Sequence, residues 1–101
     1  MRDWRDNLAD LSLPSEAWGL IEAEDERQKA KWGIQCHSPA EWLMFLTEEV
    51  GELAEAIADF WFRDGDYESM QAEAVQVATL AIKIAWMVKC SREDAEEEAK
   101  K

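Results

Sequence analysis

The 101-residue sequence has one histidine, His37, two cysteines, Cys36 and Cys90, and only 11 basic residues against 23 acidic ones. Each shortage excludes something. The two cysteines lie far apart and match no zinc-ligand spacing. The lone histidine belongs to no Glu-x-x-His pair, which removes a carboxylate-bridged di-iron bundle. The net charge of −12 argues against non-specific binding to nucleic acid or to an anionic membrane. It also means that a phosphate-bearing ligand needs metal ions as a bridge. No apolar run approaches the ~20 residues of a membrane span. The longest, 75–88, is interrupted by Gln76, Thr79 and Lys83. No signal peptide is evident, so the expected compartment is the reducing cytoplasm. Asn-Gly hairpins, alternating strand patterns and a Gly-x-x-x-x-Gly-Lys-Ser/Thr run are all missing. Arg63-Asp64-Gly65-Asp66 lacks the repeated acids of a calcium loop and reads as a turn.

What remains is helical periodicity. The length suits one domain, 1–101, with a core over about 15–90. Residues 1–13 allow a short amphipathic turn through Trp4, Leu8 and Leu11. Ser15 is the expected N-cap of a helix over 16–31, whose apolar stripe is thin. Gly33 stops it. Ser38-Pro39-Ala40-Glu41 carries a capping box with proline at the first helical position, and predicts a helix to about residue 62. A third helix spans about 67–89 and is apolar on nearly every side over 74–88. Ser91 is the expected cap of a separate charged helix over 91–101. The fold class is therefore all-α, a helical bundle completed by oligomerisation. Six tryptophans and an all-round apolar helix exceed what one thin bundle hides, so a homodimer or homotetramer is expected.

The second helix carries the densest chemistry. On a 100° wheel, Leu43, Leu46, Val50, Leu53, Ala54, Ile57 and Phe60 share one side, and Glu48, Glu49, Glu52 and Glu55 share the other. Carboxylates one turn apart repel. A solvated acidic face and a site for a divalent cation are both open readings of this stretch alone. Glu73 and Gln76 lie one turn apart where the apolar third helix begins. Either that turn is exposed, where acids favour the helix dipole, or Glu73 faces the acidic stripe.

Glu48-Glu49-x-x-Glu52, twenty residues, then Glu73-x-x-Gln76 resembles the signature of the MazG-like all-α nucleoside triphosphate pyrophosphohydrolases. Lys31-Trp32-Gly33-x-Gln35-x-His37-Ser38-Pro39 with Trp42-Leu43 is similar to a phage- and mobile-element-type subgroup. The resemblance covers about 25–90 and implies a MazG-like, four-helix-bundle type core. It implies magnesium, with manganese able to substitute, held by Glu49, Glu52 and Glu73. Glu48 becomes a further ligand or the base that orients water. The family pattern ends in Asp where this chain has Gln76, which offers a metal a carbonyl oxygen but no charge. The implied reaction is hydrolysis of an NTP or dNTP to the monophosphate and pyrophosphate, a house-cleaning activity. The alternative is a helical interaction module whose site has decayed.

The loop before the second helix supplies substrate candidates. Lys31, His37 and, from the third helix, Lys83 can meet phosphate. Trp32 or Trp42 can stack on a base, and Gln35 can read its edge. Against these stand Trp32 and Trp42 as core anchors, His37 as a surface residue and Lys83 as a side chain reaching to solvent.

Overall fold

The computed structural model describes residues 15–101; the expected turn over residues 1–13 lies outside them. Three helices, α1 (Ser15–Trp32), α2 (Pro39–Phe62) and α3 (Tyr67–Ala99), make an all-helical fold, with no strand among the described residues. Ser15, the expected cap, lies within α1. Gly33 ends α1 in the left-handed region, φ 74°, where a side chain would be strained. The Ser38 capping box forms as expected. Ser38 Oγ accepts from the Glu41 N–H at 3.2 Å, and Glu41 Oε1 accepts from the Ser38 N–H at 3.0 Å.

The turn between α2 and α3 is tight. The Gly65 N–H donates to the Asp59 carbonyl, and a Cβ on Gly65 would lie 2.6 Å from the Phe60 nitrogen. Asp66 then caps α3 by accepting from the Ser69 N–H at 2.6 Å. The α2–α3 hairpin is the main packing unit, and α1 lies along α3. Lys83 Nζ ties them, bonding Gln28 Oε1 at 2.7 Å and Asp25 at 3.0 Å.

Three expectations need correction. The charged C-terminal segment is not a separate helix; α3 runs unbroken to Ala99. No glycine or proline interrupts 85–99; the Lys89–Glu93 pair bridges a turn across Ser91, and the Arg92–Glu96 pair bridges the turn after it. The inward face of α2 is also rotated from the expected one. Trp42 is buried and Leu46, Glu49, Leu53, Ala56 and Phe60 are half-buried, at helical spacing; Leu43, Val50 and Ile57 are exposed. Glu49 thus turns toward α3 with the apolar residues. Two apolar stripes compete for the core, and α3 takes the one that also meets Glu73. Finally, by length and a mean hydropathy of 1.3, α3 does contain a window apolar enough to cross a membrane.

Thr79 and Leu80 are the buried residues of α3, whereas Ile82, Trp86 and Val88 are exposed. The Thr79 hydroxyl is satisfied by the Val75 carbonyl at 2.8 Å.

Candidate functional site

The site forms where the inward turn of α2 meets the second turn of α3. Glu49 and Glu52 are one turn apart on α2, and the packing of the hairpin brings Glu73 across to them. One carboxylate oxygen from each lies within 4.8 Å of the others. Glu49 and Glu73 are half-buried and Glu52 is exposed. Such a group is electrostatically unfavourable alone. Burial, hydrogen bonding to Glu73 and the nearby charges of Glu52 and Glu73 push the Glu49 carboxyl up to about 7. Glu73 Oε2 is buried with no hydrogen-bond partner among the described residues. An unpartnered buried carboxylate oxygen, within reach of two more carboxylates, fits a hard divalent cation that takes oxygen ligands.

Gln76 follows Glu73 by one turn and touches the same cluster. With its amide oriented to satisfy its neighbours, the nitrogen donates to Glu49 at 2.6 Å and 3.2 Å. In this arrangement it acts as a donor to the triad. To offer a metal its oxygen, the amide has to turn over.

Cavities open on either side of the triad. The first, about 320 Å³, is lined by Glu48, Glu49 and Gln76 at one end and by Trp32, Phe45 and Trp42 along its walls, with Arg27, Gln28 and Gln35 as its other polar residues. Its size lies in the range of small-molecule sites, roughly 300–1,000 Å³. The second, about 440 Å³, is lined by Glu52, Glu55, Asp59 and Glu73 beside Gly65 and Ser69. A third, about 550 Å³, lies behind Trp42 and takes in Gln35, His37, Lys83 and Trp86.

The structure therefore divides the sequence candidates. Glu48, Glu49, Gln76, Trp32 and Gln35 share the first cavity. Trp42, buried, is its wall as well as a core anchor. His37 packs edge-on against Trp42 and Phe45, with Nδ1 3.6 Å from Glu41, and lines the third cavity only. Lys83 faces that cavity too, committed to Asp25 and Gln28. Lys31 folds over the Trp32 ring at 4.5 Å and lines none of these cavities.

One residue of the first cavity escapes the motif. Arg27 enters from α1, held by Glu24, itself nearly buried: Arg27 Nε and Nη2 donate to Glu24 at 2.8 Å and 2.7 Å. Gln28 donates to the same carboxylate at 2.8 Å. The guanidinium hydrogen bonds hold the Glu24 carboxyl below its ordinary range. The spacing Glu24-x-x-Arg27-Gln28 was the available signal, since i, i+3 and i+4 share a helix face. Comparison with protein-family models, with curated proteins and with solved structures finds no match.

Proposed function

We propose that the protein is a magnesium-dependent nucleotide pyrophosphohydrolase, converting an NTP or dNTP to its monophosphate and pyrophosphate. The observation that carries this reading is the Glu49–Glu52–Glu73 triad with its unpartnered buried oxygen, opening onto a pocket of aromatic and amide side chains. Glu49, Glu52 and Glu73 would hold magnesium, or manganese in its place. When bound, the metal neutralises the triphosphate and polarises the attacking water. Glu48, exposed at the mouth beside Glu49, takes the proton from that water. Oxygen attacks the α-phosphorus, the bond from that phosphorus to the bridging oxygen breaks, and pyrophosphate leaves. Trp32 and Phe45 flank the base, and Gln35 lies where a base edge can be read.

The rival is an interaction module with a decayed site. Its support is Gln76, a neutral donor to Glu49 where the resembled pattern has a ligand. A nucleotide panel separates the two. Pyrophosphate release that needs magnesium and stops with EDTA supports the enzyme. No turnover, with magnesium affinity no better than that of an ordinary acidic surface, refutes it.

The same proposal places the molecule in the cytoplasm as a dimer or dimer of dimers. The exposed Leu43, Val50 and Ile57 of α2, with Trp86 and Val88 of α3, then meet another protomer and not lipid. Lys83 on α3 is already engaged by charged and polar groups of α1, which suits water better than hydrocarbon.

A further inference from the structure

We propose that Arg27 is the cation that receives the α-phosphate of the nucleotide, on the nucleoside side of the carboxylate triad; the assignment rests on the hydrolase reading above. The two cavities that flank the triad differ in chemistry. The one past Glu52 and Glu73 adds Glu55 and Asp59, the latter paired with Arg63, and has no cation among its described lining residues. The one past Glu49 has aromatic walls, and Arg27 is the one cationic residue among its described lining. A planar base and its sugar belong in the aromatic cavity, which puts the α-phosphate at the junction and the pyrophosphate toward the acidic side. Arg27 is close enough to the junction to feel the charge of Glu49.

The arginine is also pre-positioned. Its Nε and Nη2 are taken by Glu24, so Nη1 is the arm of the fork left for a ligand. Gln28 shares the Glu24 carboxylate, and the Arg27 guanidinium lies 6.0 Å from the Trp32 ring centroid. A guanidinium fixed by a nearly buried carboxylate loses little freedom when it binds an anion. The two lysines do not compete for this role. Lys83 is committed to Asp25 and Gln28 behind Trp42, and Lys31 sits outside the cavity.

The test uses the full chain with magnesium and two variants. Arg27→Gln keeps a donor for Glu24 and loses the charge; Arg27→Lys keeps the charge and loses the fork. The probes are pyrophosphate and the monophosphate of whichever nucleotide the wild type hydrolyses fastest, each titrated by calorimetry. Arg27→Gln should weaken monophosphate binding at least about tenfold, as expected for a lost charge-assisted hydrogen bond. Pyrophosphate binding should stay within about twofold, and Arg27→Lys should recover part of the loss. Unchanged monophosphate affinity overturns the assignment. So does an equal loss of both ligands with a lower melting temperature, which marks a structural role. Loss of pyrophosphate alone moves Arg27 to the other side of the triad. A wild type that hydrolyses no nucleotide overturns the hydrolase reading itself and the assignment with it; an active wild type with an indifferent Arg27→Gln overturns the assignment alone.

Discussion

Glu49 is the residue on which the chemistry turns. It faces the core among apolar neighbours, shares a cluster with two other carboxylates and accepts the Gln76 amide. With its carboxyl raised to about 7, it is partly protonated near neutral pH in the absence of a cation. Magnesium binding at pH 7 should therefore release protons, so the calorimetric heat should change with the ionisation enthalpy of the buffer. A buffer-independent heat contradicts this. The sign for stability follows. The folded value lies above the unfolded one, so this contribution is fully present below the ordinary carboxyl range and is lost as pH rises through about 7. In EDTA, the fall in melting temperature between about pH 5 and 8 should be shallower in Glu49→Gln than in the wild type. Glu49→Gln, Glu52→Gln and Glu73→Gln should each cut turnover by more than about 100-fold, beyond the 10–100-fold typical of outer-shell partners. Folding should survive, because each change relieves repulsion. Glu55→Gln should cost little, since Glu55 lies outside the triad. Near-normal rates in the three variants would move the site elsewhere. Gln76→Asp should tighten magnesium binding and, without metal, lower the melting temperature, because a fourth carboxylate then faces Glu49. Unchanged or weaker metal affinity refutes a ligand role at this position.

At the scale of elements, the caps carry clear expectations. Ser38→Ala and Asp66→Ala should each cost about 1 kcal/mol, measured by urea unfolding, and should add because the two turns share no partners. Costs near zero would mean that the helix starts are held by packing alone. These two caps also mark how far the sequence could be read. The Ser38 box declares itself in four consecutive residues, and Gly33 stops α1 as its backbone freedom suggests. Asp66 is hidden in a run of turn residues, where any of several side chains could cap. The face of α2 was harder still. Leu43, Val50 and Ile57 form one apolar stripe, Trp42, Leu46 and Leu53 another, and a helical wheel cannot choose between stripes that overlap. Only the packing of α3 decides, and it draws Glu49 inward with the second stripe. The Glu49–Glu52 part of the triad was legible from spacing, because residues one turn apart share a face; Glu73 entered only through the family resemblance, since its own turn read equally as exposed or as facing them. The Arg27–Glu24 pair was not legible, since on an acidic helix such spacings recur by composition. The unbroken α3 was misread at Ser91, a residue that caps helices well but sits equally in their interior when nothing around it breaks the backbone.

For the whole molecule, surface area is the quantity that matters. The accessible surface is 8121 Å², against about 5,800 Å² for a compact folded monomer of this mass. The Cα radius of gyration is 16.8 Å, against about 13 Å by the same kind of scaling. Trp42 and Leu80 are the only large apolar side chains that are buried among the described residues. The exposed Leu43, Val50 and Ile57 of α2 and Trp86 and Val88 of α3 are the side chains that an interface would cover under the proposed assembly. Light scattering at micromolar protein should therefore give a dimer or tetramer mass, and Val50→Glu with Ile57→Glu should lower it. A monomer mass for the wild type would contradict the expectation, and partition into detergent or membranes would favour the lipid alternative for α3. The activity is a separate matter, and one experiment addresses it. Hydrolysis of the preferred nucleotide with magnesium in oxygen-18 water should place the label in the monophosphate, with pyrophosphate as the unlabelled co-product. Label in the pyrophosphate, or accumulation of diphosphate with free phosphate, would contradict attack at the α-phosphorus and the function proposed for the triad.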